Sequence, residues 1–511
     1  MNKYIGITIG PIIKTLSIAR KPRELWSASF LFSGLMENLI VRISKEENVK
    51  IISPGVIKDA ASVEESKIVV GLYPDRIFCV SITFEQVRNI IRQVVFEYAN
   101  NHKVYADYFK VYATEVDAEN DGKAVKELNK QLDYLELHNR ALLHEAEESV
   151  RKLVVSNKLF ELKNGSKKFE TLAEIATTQL EQLYPNEYRD VLIEARKDES
   201  VDEKDELVKN LSKKLEKFIT PHKYICVVHA DGDNVGTIVG SLGTGKLTPF
   251  SENLLKFGKK ACHSIEKFQG LPIYAGGDDL LFIAPVVSND ENGNTQTIFD
   301  LIKQIDNDFV NSGTTQTTLL QDGKLLKPSL SYGITLTYYK YPLYETLEIS
   351  RNLLFDVAKE LKKKDEKGKE EKVKNAIAWT LQKGSGMAVS GCFSKGNEEI
   401  FKAFENLINS IDINTDKNLV SAVAHKLKAN ETLLSLFMGK ENQNDRLDAF
   451  FEKILEYKDK RKKEKQYLDA VKEVLIALYK HSNDLIETIK CAYAMLRTAK
   501  FIKGLEDDKD E

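Results

Sequence analysis

Residues 274–281 read Tyr-Ala-Gly-Gly-Asp-Asp-Leu-Leu and set two adjacent carboxylates between two short apolar runs, 271–275 and 280–284. The pattern predicts a tight β-hairpin in which Gly276 and Gly277 supply permissive backbone and Asp278 and Asp279 project from the turn. A hairpin tip of this kind suits a hard divalent cation, although Gly and Asp are also ordinary turn residues and the motif alone decides little. Upstream, Tyr224-Ile-Cys-Val-Val-His-Ala runs into Asp231-Gly-Asp233-Asn-Val-Gly236. A continuous apolar run ending in a second acidic cluster predicts a buried central strand that delivers carboxylates at its end.

Between the two clusters, residues 254–268 carry a helical pattern. After the hairpin come a predicted helix over 297–311, a strand over 329–338, a helix over 343–362 and a strand over 376–381. This order is βαββαβ, a ferredoxin-like unit in which the first strand and the hairpin lie side by side and bring Asp231 close to Asp278. The first 116 residues repeat the order: a strand over 4–10, a long amphipathic helix over 14–45, a hairpin over 68–82, a helix over 85–100 and a strand-like stretch over 104–116. The expected fold class is therefore α+β, with two ferredoxin-like palm domains in a pseudo-twofold pair. Residues 1–117 form the first, non-catalytic half and 221–390 the catalytic half. Laying Tyr4 on Tyr224 puts Gly10-Pro11 where the second unit has Asp231-Gly232, so the first copy lacks that carboxylate. Its own hairpin, Gly71-Leu-Tyr-Pro74-Asp75-Arg76, sets Asp75 roughly where Asp278 falls.

Taken together, these residues carry a family resemblance. The Asp-Gly-Asp strand, the Gly-Gly-Asp-Asp hairpin, Ser331-Tyr-Gly333 and Ala358-Lys359 near a helix end resemble the palm of the large catalytic subunit of type III CRISPR effector complexes, which is similar to GGDEF-type cyclases. Ile9-Gly-Pro-Ile-Ile-Lys-Thr-Leu, Ala19-Arg-Lys-Pro-Arg-Glu-Leu-Trp26-Ser-Ala-Ser29 and Leu31-Phe-Ser33 resemble the opening of the first palm-like domain in the III-B form. The resemblance implies a nucleotidyltransferase that uses ATP with Mg²⁺ or Mn²⁺ and releases pyrophosphate. It would act with the other complex subunits, guide RNA and target RNA, and its default product is a cyclic oligoadenylate. Adenylylation of S-adenosylmethionine and a stand-alone GGDEF-like cyclase remain alternatives.

The resemblance also implies the site. Asp231, Asp278 and Asp279 are the metal ligands and catalytic carboxylates, while Asp233 serves to order the loop. Lys359 lies on the triphosphate, Gly276, Gly277 and Ser385 lie near the phosphates, and Ser29, Ser33 and Arg20 contribute to the first half of the cleft. His229 reads as a core histidine rather than a base. The relatives' Pro-Asn-Arg motif is Pro74-Asp75-Arg76 here, and a carboxylate at Asp75 would repel a second triphosphate and attract a sulfonium.

The 511 residues carry a formal net charge of -3, with 30% charged and 42% hydrophobic residues, which fits a cytoplasmic enzyme with no membrane segment and argues against a generic polyanion coat. None of the five cysteines makes a C-x-x-C pair, and no His-Asp dipeptide occurs among the eight histidines. A zinc site and a DNase of the HD type are therefore not expected. Residues 118–220 read as a helical connecting domain, with helices over 123–162, 172–183 and 203–218. Residues 391–511 read as a helical bundle, and the mixed-charge stretch 360–374 reads as an exposed loop.

Overall fold

The computed structural model describes residues 2–505 except 56–66, 138–141, 168, 170, 181–185, 187–188, 190–219, 322–323, 365–369, 412–416, 438–442 and 482–484. Two antiparallel ferredoxin-like sheets share one strand order. The first contains β1 (Asn2–Gly10), β2 (Lys50–Ser53), β3 (Arg76–Val80) and β4 (Lys110–Ala118) in the order β2-β3-β1-β4. In the second, β5 (Tyr224–Asp233), β6 (Leu271–Gly276), β7 (Asp279–Pro285) and β8 (Ser329–Tyr338) run β6-β7-β5-β8. Two further strands, β9 (Ala376–Gln382) and β10 (Ala388–Ser394), extend the second sheet beyond β8, with β8 and β9 parallel.

Alternation along β1 shows how the first sheet is covered. Ile5, Ile7 and Ile9 enter a core with Trp26, Leu35 and Leu39 of the Pro22–Ile43 helix. Tyr4 instead packs with Leu128 and Leu132 of the Asp121–Glu136 helix. A Cβ on Gly6 would lie 3.2 Å from the Leu128 Cβ, so glycine admits that helix close to the sheet. The same core that holds Ile5 and Ile7 includes Ile225 and Val227 of β5 and Ile273 of β6, so the Pro22–Ile43 helix is wedged between the two palms. On the far side the C-terminal helices share the second palm's core. Trp379 Nε1 donates to Thr498 Oγ1 at 3.0 Å, and the Tyr224 and Phe501 rings lie 4.7 Å apart.

Several elements differ from the sequence expectation. The helix expected over 14–45 is two, Ile12–Leu16 and Pro22–Ile43, because proline's fixed φ starts the second rather than continuing the first. The expected 68–82 hairpin supplies only β3; its partner is β2, and residues 68–72 leave the sheet toward β6 of the other palm. The helix expected over 123–162 divides into Asp121–Glu136, His144–Val155 and Lys158–Asn164, whereas the one expected over 203–218 lies outside the described residues. Residues 362–364 and 370–372 pair as a short ribbon where a loop is expected, and β10 carries the second sheet past residue 390 to Ser394. Among the described residues no helix is long and apolar enough to cross a membrane.

Candidate functional site

The hairpin forms as the glycines require. Gly276 pairs with Asp279 across a two-residue turn whose Gly277 has φ +71°, the left-handed region. Its neighbour β5 is locked in register, with Ala230 opposite Leu280, so the Asp231 strand end and the Asp279 strand start lie at the same end of the sheet. Gly232 makes this possible: a Cβ there would sit 2.2 Å from Asp278 Oδ2. The carboxyl of Asp278 therefore lies directly against the β5 backbone.

This sheet end opens into a cavity of about 770 Å³ with walls from both palms. The first palm lends Ser29, Ser33, Tyr73 and Asp75; the second lends Asp231, Tyr274, Asp279 and, from the helix over 343–358, Tyr344, Arg351 and Phe355. Arg20 reaches across, its guanidinium 4.8 Å from the Tyr344 ring centroid. The hairpin tip is therefore the floor of an interdomain cleft rather than a free surface turn. Asp279 is open to cleft water although protein surrounds it, and Asp278 is half-buried.

The cleft floor is short of positive charge. Burial, then the adjacent Asp279, pushes Asp278 up to about 7; burial, then Asp75 from the opposite palm, does the same to Asp279. Burial also raises Asp75. The Arg76 guanidinium makes its side-chain contacts elsewhere, with Asn129 Oδ1 at 2.6 Å, Asp133 Oδ1 at 2.6 Å and Glu136 Oε1 at 2.8 Å. Asp75 thus faces the cleft with burial raising its pKa and the neighbouring Arg76 charge working against that rise.

Asp231 and Lys359 depart from the expectation. Lys359 forms an ion pair with Asp231 and donates to the Gly232 carbonyl at 3.1 Å, so in this structure it holds the expected metal ligand rather than standing free for a triphosphate. Burial, then Lys374, lowers its pKa to about 8. Among the described residues no group of three or more His, Cys, Asp or Glu side chains is placed to hold a metal ion. The expected trio is divided, with Asp278 turned onto Gly232, Asp279 facing the cleft and Asp231 engaged by Lys359. The Asp278–Asp279 pair still fits a divalent cation, because two neighbouring carboxylates this far raised lack a counter-charge.

Lys359 reaches this point through a close approach. It follows a π-helical turn, Leu353–Ala358, whose last bond is Lys359 N–H to the Leu354 carbonyl at 2.9 Å. A Cβ on Gly333 of β8 would meet the Ser350 carbonyl at 2.1 Å, so only glycine lets that helix lie so near the strand. Asp233 is a structural residue. Its Oδ2 accepts from Ser329 Oγ at 3.0 Å, Ser331 Oγ at 2.8 Å and the Asn375 N–H at 2.7 Å. His229 bonds Ser350 Oγ at 2.8 Å, and burial lowers its pKa to about 4, so it is neutral near pH 7.

Ser385 is misplaced in the sequence expectation. The parallel register pairs Thr337 with Gln382, at the opposite end of β8 from Ser331 and Asp231. The β9–β10 turn that carries Ser385 is therefore about 20 Å of strand away from the carboxylates. Tyr274, Arg351 and Phe355 are cleft residues that sequence reading passed over. Arg351, Phe355 and Lys359 recur at four-residue spacing along one helical run, a signal available in the sequence.

Comparison with known proteins follows the same division. The description "Cas10/Cmr2, second palm domain" matches residues 224–367, and "CRISPR-associated protein Cmr2, N-terminal" matches residues 4–107. The CRISPR system Cmr subunit Cmr2 of Pyrococcus furiosus is 30% identical over 31% of this chain. The match spans only 20% of that relative's length. A type III-B Cmr-beta structure in the apo state superposes with a TM-score of 0.63 at 13% identity, covering 99% of this chain and 82% of that one. Cmr-beta bound to cognate target RNA gives 0.58 at 12% identity, covering 98% and 83%. An apo Csm1–Csm4 cassette gives 0.51 at 10% identity, covering 98% and 70%. At these identities the likeness is one of fold.

Proposed function

From the matches of residues 224–367 to the second palm domain of Cas10/Cmr2 and of residues 4–107 to the Cmr2 N-terminal description, we propose that the chain is a nucleotidyltransferase of a type III CRISPR effector complex. It would join an adenylate from ATP to an acceptor hydroxyl when the complex, with its guide RNA, has captured target RNA. The observation that carries this reading is the cleft: one cavity, walled by both palms, whose floor gathers carboxylates short of positive charge.

The chain's own residues supply the arrangement. Asp278 and Asp279 would hold Mg²⁺ or Mn²⁺, joined by Asp231 once Lys359 lets it go. Such an ion, when bound, lowers the cost of ionising a hydroxyl and neutralises phosphate charge. Lys359 would exchange the Asp231 carboxylate for the triphosphate, offsetting charge on the departing pyrophosphate. The hairpin and β5 orient donor and acceptor, and Phe355 and Tyr344 offer ring faces on the second palm's wall. Ser29 and Ser33 line the first palm's wall.

Two acceptors suit the cleft. A second ATP gives an oligoadenylate closed into a ring. S-adenosylmethionine is favoured by one observation: Asp75 sits on the first palm's wall of the cleft near Asp279, where a cationic acceptor would relieve the repulsion between the two carboxyl groups and a second triphosphate would not. A stand-alone cyclase that needs a second copy is disfavoured because the first palm already lends the opposite wall. The test is mass spectrometry of products from the assembled complex with target RNA and ATP, with and without S-adenosylmethionine. Oligoadenylates alone would dispose of the sulfonium acceptor, and no nucleotide product under any condition would dispose of the transferase. Asp75→Asn should shift the spectrum toward coupling of ATP to ATP.

A further inference from the structure

Residues 69–75 belong to no sheet, yet their backbone is held at five points by four different parts of the chain, two of the points on the Pro22–Ile43 helix. The Val69 carbonyl accepts from Trp26 Nε1 at 2.8 Å, and the Val69 N–H donates to Asn164 Oδ1 at 2.8 Å. The Gly71 carbonyl accepts from the Ala275 N–H at 2.9 Å, pairing residue 71 in parallel with Tyr274 of β6. The Tyr73 N–H donates to Ser33 Oγ at 3.0 Å, and the Asp75 carbonyl accepts from the Ile9 N–H at 3.2 Å. Gly71 is gripped from both sides: a Cβ there would lie 2.9 Å from the Ser33 Cβ and 3.5 Å from Tyr274 Cδ2.

We propose that residues 69–75 are a strap tying the first palm's Asp75 to the strand that feeds the Gly-Gly-Asp-Asp turn, with Ser33 as the positioning residue that fixes its height. The inference rests on the reading of the cleft given above and adds how its two walls are held in register. Ser33 is buried on the inner helix, and its oxygen is engaged by the strap's own backbone. The segment continues directly into Tyr73, Pro74 and Asp75, all three on the cleft wall. At its other contact it bonds the amide of Ala275, one residue before the glycine pair. A slack strap would move the acceptor wall relative to Asp279 while leaving the carboxylates and Lys359 in place. Displacements on the order of 1 Å between reacting partners cost roughly hundredfold in rate.

The test uses two readouts on Ser33→Ala and Ser33→Thr. In the free chain, amide exchange at Ala275 should rise about tenfold in Ser33→Ala, although residue 33 lies in the other palm, while amides of β8 stay at the wild-type rate. In the reconstituted complex, kcat for nucleotide transfer should fall roughly ten- to hundredfold with KM for ATP within about twofold, and Ser33→Thr should restore both readouts. Should Ser33→Ala not fold, Gly71→Ala, which forces the strap off Ser33 and Tyr274, should give the same pair of changes. Wild-type exchange at Ala275 in Ser33→Ala would overturn the strap. So would a loss of kcat accompanied by an equal loss of ATP affinity and a general fall in Tm. If Ala275 exchange responds but the wild type makes no nucleotide product, the strap stands as a link between palms and the transferase reading fails.

Discussion

Replacing Asp278 with Asn should make the protein more stable at pH 8 in EDTA and remove half or more of a pH dependence that the wild type shows. Burial and the adjacent Asp279 lift Asp278 from its ordinary 3.8 to about 7. A folded-state pKa above the unfolded one means that the native protein holds the proton more tightly. Its contribution is fully present below about pH 4 and is lost as pH rises through about 7. Some three pH units at 1.36 kcal/mol each give a ceiling of about 4 kcal/mol. Asp278 is half-buried beside cleft water and titrates together with Asp279, so the pair counts once and screening reduces the effect to about 2 kcal/mol. About two of the three units are lost between pH 5 and pH 8, so at 2–4 °C per kcal/mol for a domain of 150–250 residues the wild-type Tm should fall by about 3–5 °C over that range. The Asn variant should keep about half of that slope or less, because Asp279 no longer has a charged neighbour at position 278. Mn²⁺ should flatten the wild-type curve, since a bound cation supplies the missing counter-charge. Scanning calorimetry at pH 5, 6, 7 and 8, with EDTA or Mn²⁺, makes the comparison. Parallel loss of stability in wild type and Asn variant would refute the reasoning.

Three further outcomes can be checked. Asp278→Ala with Asp279→Ala should abolish nucleotide transfer, by roughly three or more orders of magnitude in product assays, while leaving Tm unchanged or higher. Lys395→Met should destabilise by about 1–3 kcal/mol in denaturant titration, because Lys395 Nζ lies 2.6 Å from both Asp306 oxygens and its loss leaves that half-buried carboxylate with the Tyr332 hydroxyl but without its cation; adding Asp306→Asn should recover much of that. Gly333→Ala should lower Tm by several degrees and cut transfer activity, since its Cβ would drive Ser350 and the following π turn off β8 and carry Lys359 away from Asp231.

The two palms are legible in the sequence because the apolar runs at 4–10, 224–230, 271–284 and 329–338 are long and are separated by helical patterns. The equal strand order then follows from the repeated element sequence. The carboxylates are legible as strand-end and turn residues for the same reason. What escapes is non-local. Nothing near Lys359 announces that it will pair with Asp231, since the contact depends on Gly333 admitting a helix against β8. Ser385 looks phosphate-proximal between two glycines, but only the parallel β8–β9 register shows that its turn lies at the wrong end of the sheet. Residues 68–72 carry strand-like alternation, yet Gly71 and Pro74 weaken a ladder, and the stretch finds its hydrogen bonds on the Trp26 and Asn164 side chains and on Ala275, about 200 residues away.

Having both walls of the cleft on one polypeptide also changes what mutation can reach. Where two identical copies meet around a twofold axis, every substitution appears twice and the two faces must remain the same. Here each half can drift alone: the first has Gly10-Pro11 where the second keeps Asp231-Gly232, and it places Asp75 where no copy of Asp278 is needed. The opposite wall is supplied at fixed effective concentration, independent of how much protein the cell makes. Donor and acceptor preferences can therefore diverge by single steps, each visible on one wall only.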